Sequence, residues 1–212
     1  MRRSLAASPR RGTRHVDALP PPLLRLAAHA PPSASQLSAT LYPRLKPRVD
    51  ALGSRSYERG AEIDAETADA GADDADGALG ALAAELGGLV GELQPALTEE
   101  NVDALYATLV RAIAERLEAL LLQKRVDRVG ALAVDADVRA LSGRLSELSK
   151  RSVRDKLSRL TQISAILSLD AEAEVAELWS LGTLRLSAEE VRHVAGLRVE
   201  WRPEAVAALA LN

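Results

Sequence analysis

The chain has 212 residues, 47% of them apolar and only 2% aromatic, with no Phe, no Cys and a formal net charge of −3. The missing cysteine excludes a disulfide framework, a thiolate metal site and a cysteine nucleophile, and the mildly acidic balance gives no global attraction for nucleic acid or an anionic membrane. A core of Leu, Val, Ile and Ala, the first and last strong helix formers, predicts an all-α chain of helical bundles with a disordered N-terminus and an acidic linker.

Residues 1–35 form a divergent segment. Arg2, Arg3, Arg10, Arg11, Arg14 and Arg25 stand against one acid, Asp17, and two proline clusters deny a helix its donors. The segment reads as a disordered tail, with an organellar targeting peptide or a misassigned start as the alternatives. Over 36–57, Leu37, Leu41, Leu45, Val49 and Leu52 recur every three or four residues, which predicts a short helical segment kinked or divided by Pro43 and Pro47. Residues 58–77 are rich in Asp and Glu with few apolar anchors and predict an acidic, flexible linker.

From 78 to 130 the pattern fits the end of a helical bundle. Leu79, Leu82, Leu86, Leu89 and Leu93 share one face, and Pro95 ends it. Thr98 is placed to cap a long helix whose stripe runs from Val102 to Leu121, with an expected end near Val129 and Gly130 as the stop. Residues 131–212 form the expected small C-terminal helical domain. Asp135 is the expected cap of its first helix, a bend is expected near 149–152, and a short helix over 171–179 follows. Ser187 opens another helix, and Pro203 sits at a first helical position.

No catalytic, cofactor-binding or metal-binding constellation emerges. Asp73, Asp74 and Asp76 lack the Gly and the closing Glu of a calcium loop. His193 has no second ligand at metal spacing, and the glycine-rich 77–88 has no Lys-Ser/Thr and follows no strand. The basic residues Lys150, Arg151, Arg154, Lys156 and Arg159 are a candidate phosphate patch, read here as a solvated helix face because aromatic stacking groups are lacking.

The stretch 125–170, "RVDRVGALAVDADVRALSGRLSELSKRSVRDKLSRLTQISAILSLD", carries Arg128, Gly130, Asp135, Arg139, Arg154, Asp155, Lys156, Arg159 and Gln162 in a distinctive spacing. "LRLSAEEVRHVAGLRVEW" at 184–201 adds Arg192 and Arg198, and "LYPRLKPRVDALGSRSYE" at 41–58 adds an upstream segment. Together they resemble the C-terminal region of subunit 4 of the conserved oligomeric Golgi complex, over about residues 36–212. The chain departs from that pattern with Leu184 for a Trp, Ala188 for a Pro, and Val126 and Leu157 for Phe. The resemblance implies helical bundles of the multisubunit tethering complex type and a non-enzymatic role in intra-Golgi, retrograde vesicle transport. It also implies peripheral attachment to the cytosolic face of the Golgi membrane. Implied partners are the other subunits of the complex, Golgi SNAREs and Rab GTPases, and not nucleic acid. The alternative is a truncated or misassigned product without tethering activity, or an unrelated organellar helical protein.

Arg159 shares a helical stripe with Ile163 and Ile166, so its guanidinium leaves along the rim of the core and needs a carboxylate there. Asp155, Glu189 and Glu190 are candidates, and the resemblance implies the pair Arg159–Glu190. Glu190 has a local role open to it as well, because "SAEE" at 187–190 is a capping box in which Glu190 reaches back to the Ser187 N–H.

Overall fold

The leucine stripes fold as their spacing dictates. The computed structural model describes residues 33–58, 65–149 and 152–211, with 65–76 described as backbone only. Helix α1, Ala34–Gly53, buries Leu37, Leu41, Leu45, Val49 and Leu52. Its cap is Ser33, in a capping box with Gln36. Pro43 and Pro47 do not divide it, contrary to the sequence expectation. Both lie on the exposed side, so the carbonyls they leave without a helical donor face water while the opposite stripe stays packed.

Helix α2, Ala65–Leu93, buries Leu79, Leu82, Leu86, Leu89 and Leu93 and passes into a 3₁₀ turn, Gln94–Ala96, at Pro95. It begins well before residue 78. Of the expected flexible linker 58–77, residues 59–64 lie outside the described residues and 65–77 are helical backbone. The five alanines of 65–77 favour a helix once the following leucines anchor it, against four aspartates and two glycines that do not.

Thr98 caps α3, Glu99–Leu121, with Glu99 and Glu100 in the first turn. The helix ends at Leu121 and not near Val129. The expected stop, Gly130, is instead inside the first turn of α4, Arg128–Glu147, whose cap is Asp127 and not Asp135. The expected domain boundary at 130/131 therefore falls within a helix. Helices α5, Arg154–Leu167, α6, Ala173–Ser180, α7, Ala188–Ala195, and α8, Pro203–Ala207, complete the described order. Helix α1 packs on α2 and α3, α4 on α2 and α5, and α5 on α3 and α7. The buried apolar side chains from Leu37 to Leu211 make one connected core. Val126 and Leu157, aliphatic where the resembled pattern has aromatics, are fully buried within it.

Three irregular segments explain why α3 stops early. Tyr57, Val126 and Arg198 lie side by side as isolated parallel β-bridges. The Asp127 N–H donates to the Tyr57 carbonyl (3.1 Å), the Val126 N–H to Leu197 (2.9 Å) and the Val199 N–H to Val126 (3.0 Å). This pairing needs extended backbone at Val126, so tertiary hydrogen bonds win over the local helical tendency of 122–126. Gly130 fits because it has no side chain: a Cβ there would sit 1.7 Å from the Tyr57 carbonyl oxygen. Among the described residues, no helix is long and apolar enough to cross a membrane, and no group of three or more His, Cys, Asp or Glu could hold a metal ion.

Candidate functional site

Helix α5 buries Leu157, Leu160, Ile163, Ile166 and Leu167, and this fixes which way its polar residues face. Arg159 emerges at the edge of that stripe, 37% exposed, between α3 and α7. Its Nε reaches Glu118 Oε1 and Oε2 (3.1 and 3.2 Å), and its Nη2 reaches Glu118 Oε1 (2.7 Å). The same Nη2 donates to Glu190 Oε1 (2.6 Å), and Nη1 donates to the Arg185 carbonyl (3.3 Å). One guanidinium thus joins three helices and the loop before the last of them. Arginine suits this task because its planar fork holds several donors in fixed directions, whereas a lysine would present one flexible point charge.

Glu190 serves two partners. Its Oε1 accepts from Arg159, its Oε2 accepts from the Ser187 N–H (2.7 Å), and its own N–H donates to Ser187 Oγ (3.2 Å). The capping box and the ion pair are therefore simultaneous. The Arg159 hydrogen bond, then that of the Ser187 N–H, lowers the Glu190 carboxyl from its ordinary 4.5 to about 2. Glu118 and then Glu190 stabilise the charged Arg159 further.

Glu118 is the residue that sequence reasoning missed. Its signal was present: it is an acid set between Leu117 and the run Leu120–Leu122, the mirror image of an arginine among isoleucines. The two other candidate acids are not partners of Arg159. Asp155 pairs with Lys156, and Glu189 is exposed. Of the basic cluster, Lys150 and Arg151 lie outside the described residues, Arg154 is exposed, and Arg159 is turned onto its two glutamates.

The remaining motif residues hold the turns around this network. Gln162 grips the loop before α7 from both sides: its Nε2 donates to the Thr183 carbonyl (3.0 Å) and its Oε1 accepts from the Arg185 N–H (2.7 Å). Arg198 is 4% exposed. It donates to the carbonyls of Leu167 and Leu169, pairs with Glu200 and lies over the Trp201 ring, 4.8 Å from its centroid. Glu200 also accepts from the Arg128 backbone N–H (2.6 Å), and the Arg128 side chain pairs with Asp170 (2.8 Å). Asp135 lies within α4, pairs with Arg139 and accepts from Ser164 Oγ (3.1 Å). Arg192 Nη2 donates to the Leu209 carbonyl (3.1 Å), tying α7 to the segment after α8.

The residues that carry this network coincide with a known protein family. The family model described as "Conserved oligomeric Golgi complex subunit 4, C-terminal" matches residues 33–193. A protein of Arabidopsis thaliana named conserved oligomeric Golgi complex subunit 4 is 38% identical over 180 residues, which is 83% of this chain and 24% of that protein. Proteins of the same name from Homo sapiens and Mus musculus are each 28% identical over 124 residues, 57% of this chain and 16% of theirs. The chain thus spans about a quarter or less of the length of these curated relatives. The match includes α1 through most of α7, with Arg159, Glu118 and Glu190 all inside it: the chain belongs to the family of the C-terminal part of subunit 4 of the conserved oligomeric Golgi complex.

Proposed function

We propose that this chain acts as a protein-interaction scaffold, the C-terminal part of a vesicle-tethering subunit working in retrograde transport within the Golgi. The observation that carries this reading is the family match across residues 33–193. In this reading the chain works by presenting surfaces, without bond chemistry. The Arg159 network keeps α7 in register with the longer helices, and Arg192 ties α7 to the segment after α8, so that the closing elements act as one binding block. The partners are the other subunits of the complex, with Golgi SNAREs and Rab GTPases as further ones. Attachment to the cytosolic face of the Golgi membrane is peripheral, through those partners.

The test is co-purification of the tagged chain with the other subunits from cells, alongside an Arg159→Trp variant. Recovery of the other subunits with the wild-type chain, and weaker recovery with the variant, supports the proposal. A chain that folds and recovers none of them contradicts it. One observation favours a second reading, a fragment without tethering activity of its own: the chain spans a quarter or less of its relatives' length. That reading predicts a folded chain that stays apart from the complex.

A further inference from the structure

Beside the Arg159 network lies a groove of about 210 Å³ between the end of α3 and α7. Its walls are the aliphatic side chains of Leu122, Ile163, Leu186 and Val194. Its rim carries Glu118, Glu189 and Glu190, and Arg159 and His193 complete it. The volume is below the roughly 300–1,000 Å³ of pockets that enclose drug-sized molecules, and it suits one long side chain with a neighbouring aliphatic group.

The charge balance selects what that side chain is. Three carboxylates stand against the one guanidinium of Arg159. Arg159 uses only part of their accepting capacity: two ionised carboxylates offer about eight lone-pair sites, and Arg159 makes three contacts with Glu118 and one with Glu190. Glu189 is exposed and makes no ion pair or hydrogen bond among the described residues. A cation entering here would lay its aliphatic stem on the partly exposed Leu122, above the buried Ile163, Leu186 and Val194 at the groove's base, and place its head among the carboxylates, the arrangement long basic side chains adopt at apolar edges. An anion would meet net negative charge, and a purely apolar group would leave the rim unsatisfied.

We infer that this groove is a docking site for a partner segment that presents an arginine flanked by aliphatic residues. The inference does not rest on the tethering role and holds or fails separately from it. The probe is an acetylated, amidated pentapeptide, Ala-Leu-Arg-Leu-Ala, with a counterpart carrying norleucine in place of arginine. The readout is the methyl resonances of Ile163 and Ile113 in the full chain. The arginine peptide is expected to move Ile163 saturably and to leave Ile113 in place. The norleucine peptide is expected to bind about tenfold more weakly, and Glu189→Gln, an exposed change outside the Arg159 network, to weaken the arginine peptide about fivefold, the scale of one exposed charge pair. Equal binding of the two peptides, no saturable shift at Ile163, or indifference to Glu189→Gln overturns the inference. So does a shift of Ile163 on raising the chain concentration alone, which would put a second copy in the groove.

Discussion

The first half of the molecule and the closing quarter are held by different physics. Helices α1, α2 and α3 have 20, 29 and 23 residues, long enough to carry five or more buried aliphatics each. The ion pairs Arg48–Glu85 and Arg44–Glu92 lie largely in solvent and contribute little, and the half-buried Arg116–Asp50 pair between α3 and α1 adds to a contact the aliphatic stripes already hold. Helices α6, α7 and α8 have 8, 8 and 5 residues, and α6 buries Val175 alone, as α8 buries Val206 alone. Helices this short are not stable by themselves and offer a narrow apolar face. Their place is fixed by arginines that reach backbone carbonyls and carboxylates: Arg198 onto Leu167 and Leu169, Arg192 onto Leu209, and Arg159 onto Glu118 and Glu190. Where the apolar face is small, directional polar contacts set the arrangement.

Substitutions that remove one polar anchor should therefore hurt more in the closing quarter than equivalent ones in the first half. The largest loss is expected at Arg198→Ala, which strips donors from two carbonyls, uncovers Trp201 and leaves Glu200 with less support. Denaturant unfolding should show a loss of about 3 kcal/mol. Arg48→Ala, at an exposed pair of α1, should cost under about 1 kcal/mol, and equal losses at the two sites would dissolve the contrast. Gly130→Ala comes next, at about 2 kcal/mol by thermal or chemical unfolding. A Cβ there must displace the Tyr57 backbone and with it the paired segments at Val126 and Arg198.

The acid side sharpens the comparison. The folded Glu190 carboxyl lies at about 2, against an ordinary 4.5. Between these values the unfolded chain binds more protons than the folded one, so stability falls as pH falls. The contribution of Glu190 is complete above its ordinary range and disappears on acidification towards 2. Glu190→Gln should thus flatten the decline in stability between pH 5 and 2.5, within about 1 kcal/mol because the group is 44% exposed. An unchanged slope would mean that Glu190 titrates alike in both states.

Much of the fold was legible from local signals. The stripes of α1 to α3, the Thr98 and Ser187 caps and Pro203 at the start of α8 each depend on residues within one or two turns. What escaped depends on distant partners. Asp127 outcompetes Asp135 as a cap because the Tyr57–Val126 pairing makes the backbone extended at that point, and no nearby residue announces it. The prolines of α1 do not divide it because both lie on its exposed side, which local sequence does not announce. At the candidate site, an arginine among isoleucines announced the need for a carboxylate. Sequence spacing directed attention to acids near in the chain or in the matching motif, while Glu118 comes from a helix 41 residues away.

The most direct test of the account is a pair of double-mutant cycles, Arg159→Ala with Glu118→Ala and Arg159→Ala with Glu190→Ala, read by denaturant unfolding. Glu118 is 15% exposed and Glu190 44%, so both cycles should show coupling and the Glu118 cycle the larger, about 2 kcal/mol against about 0.5–1. Additive losses in both cycles would contradict the claim that Arg159 fastens α7 to α3 and α5.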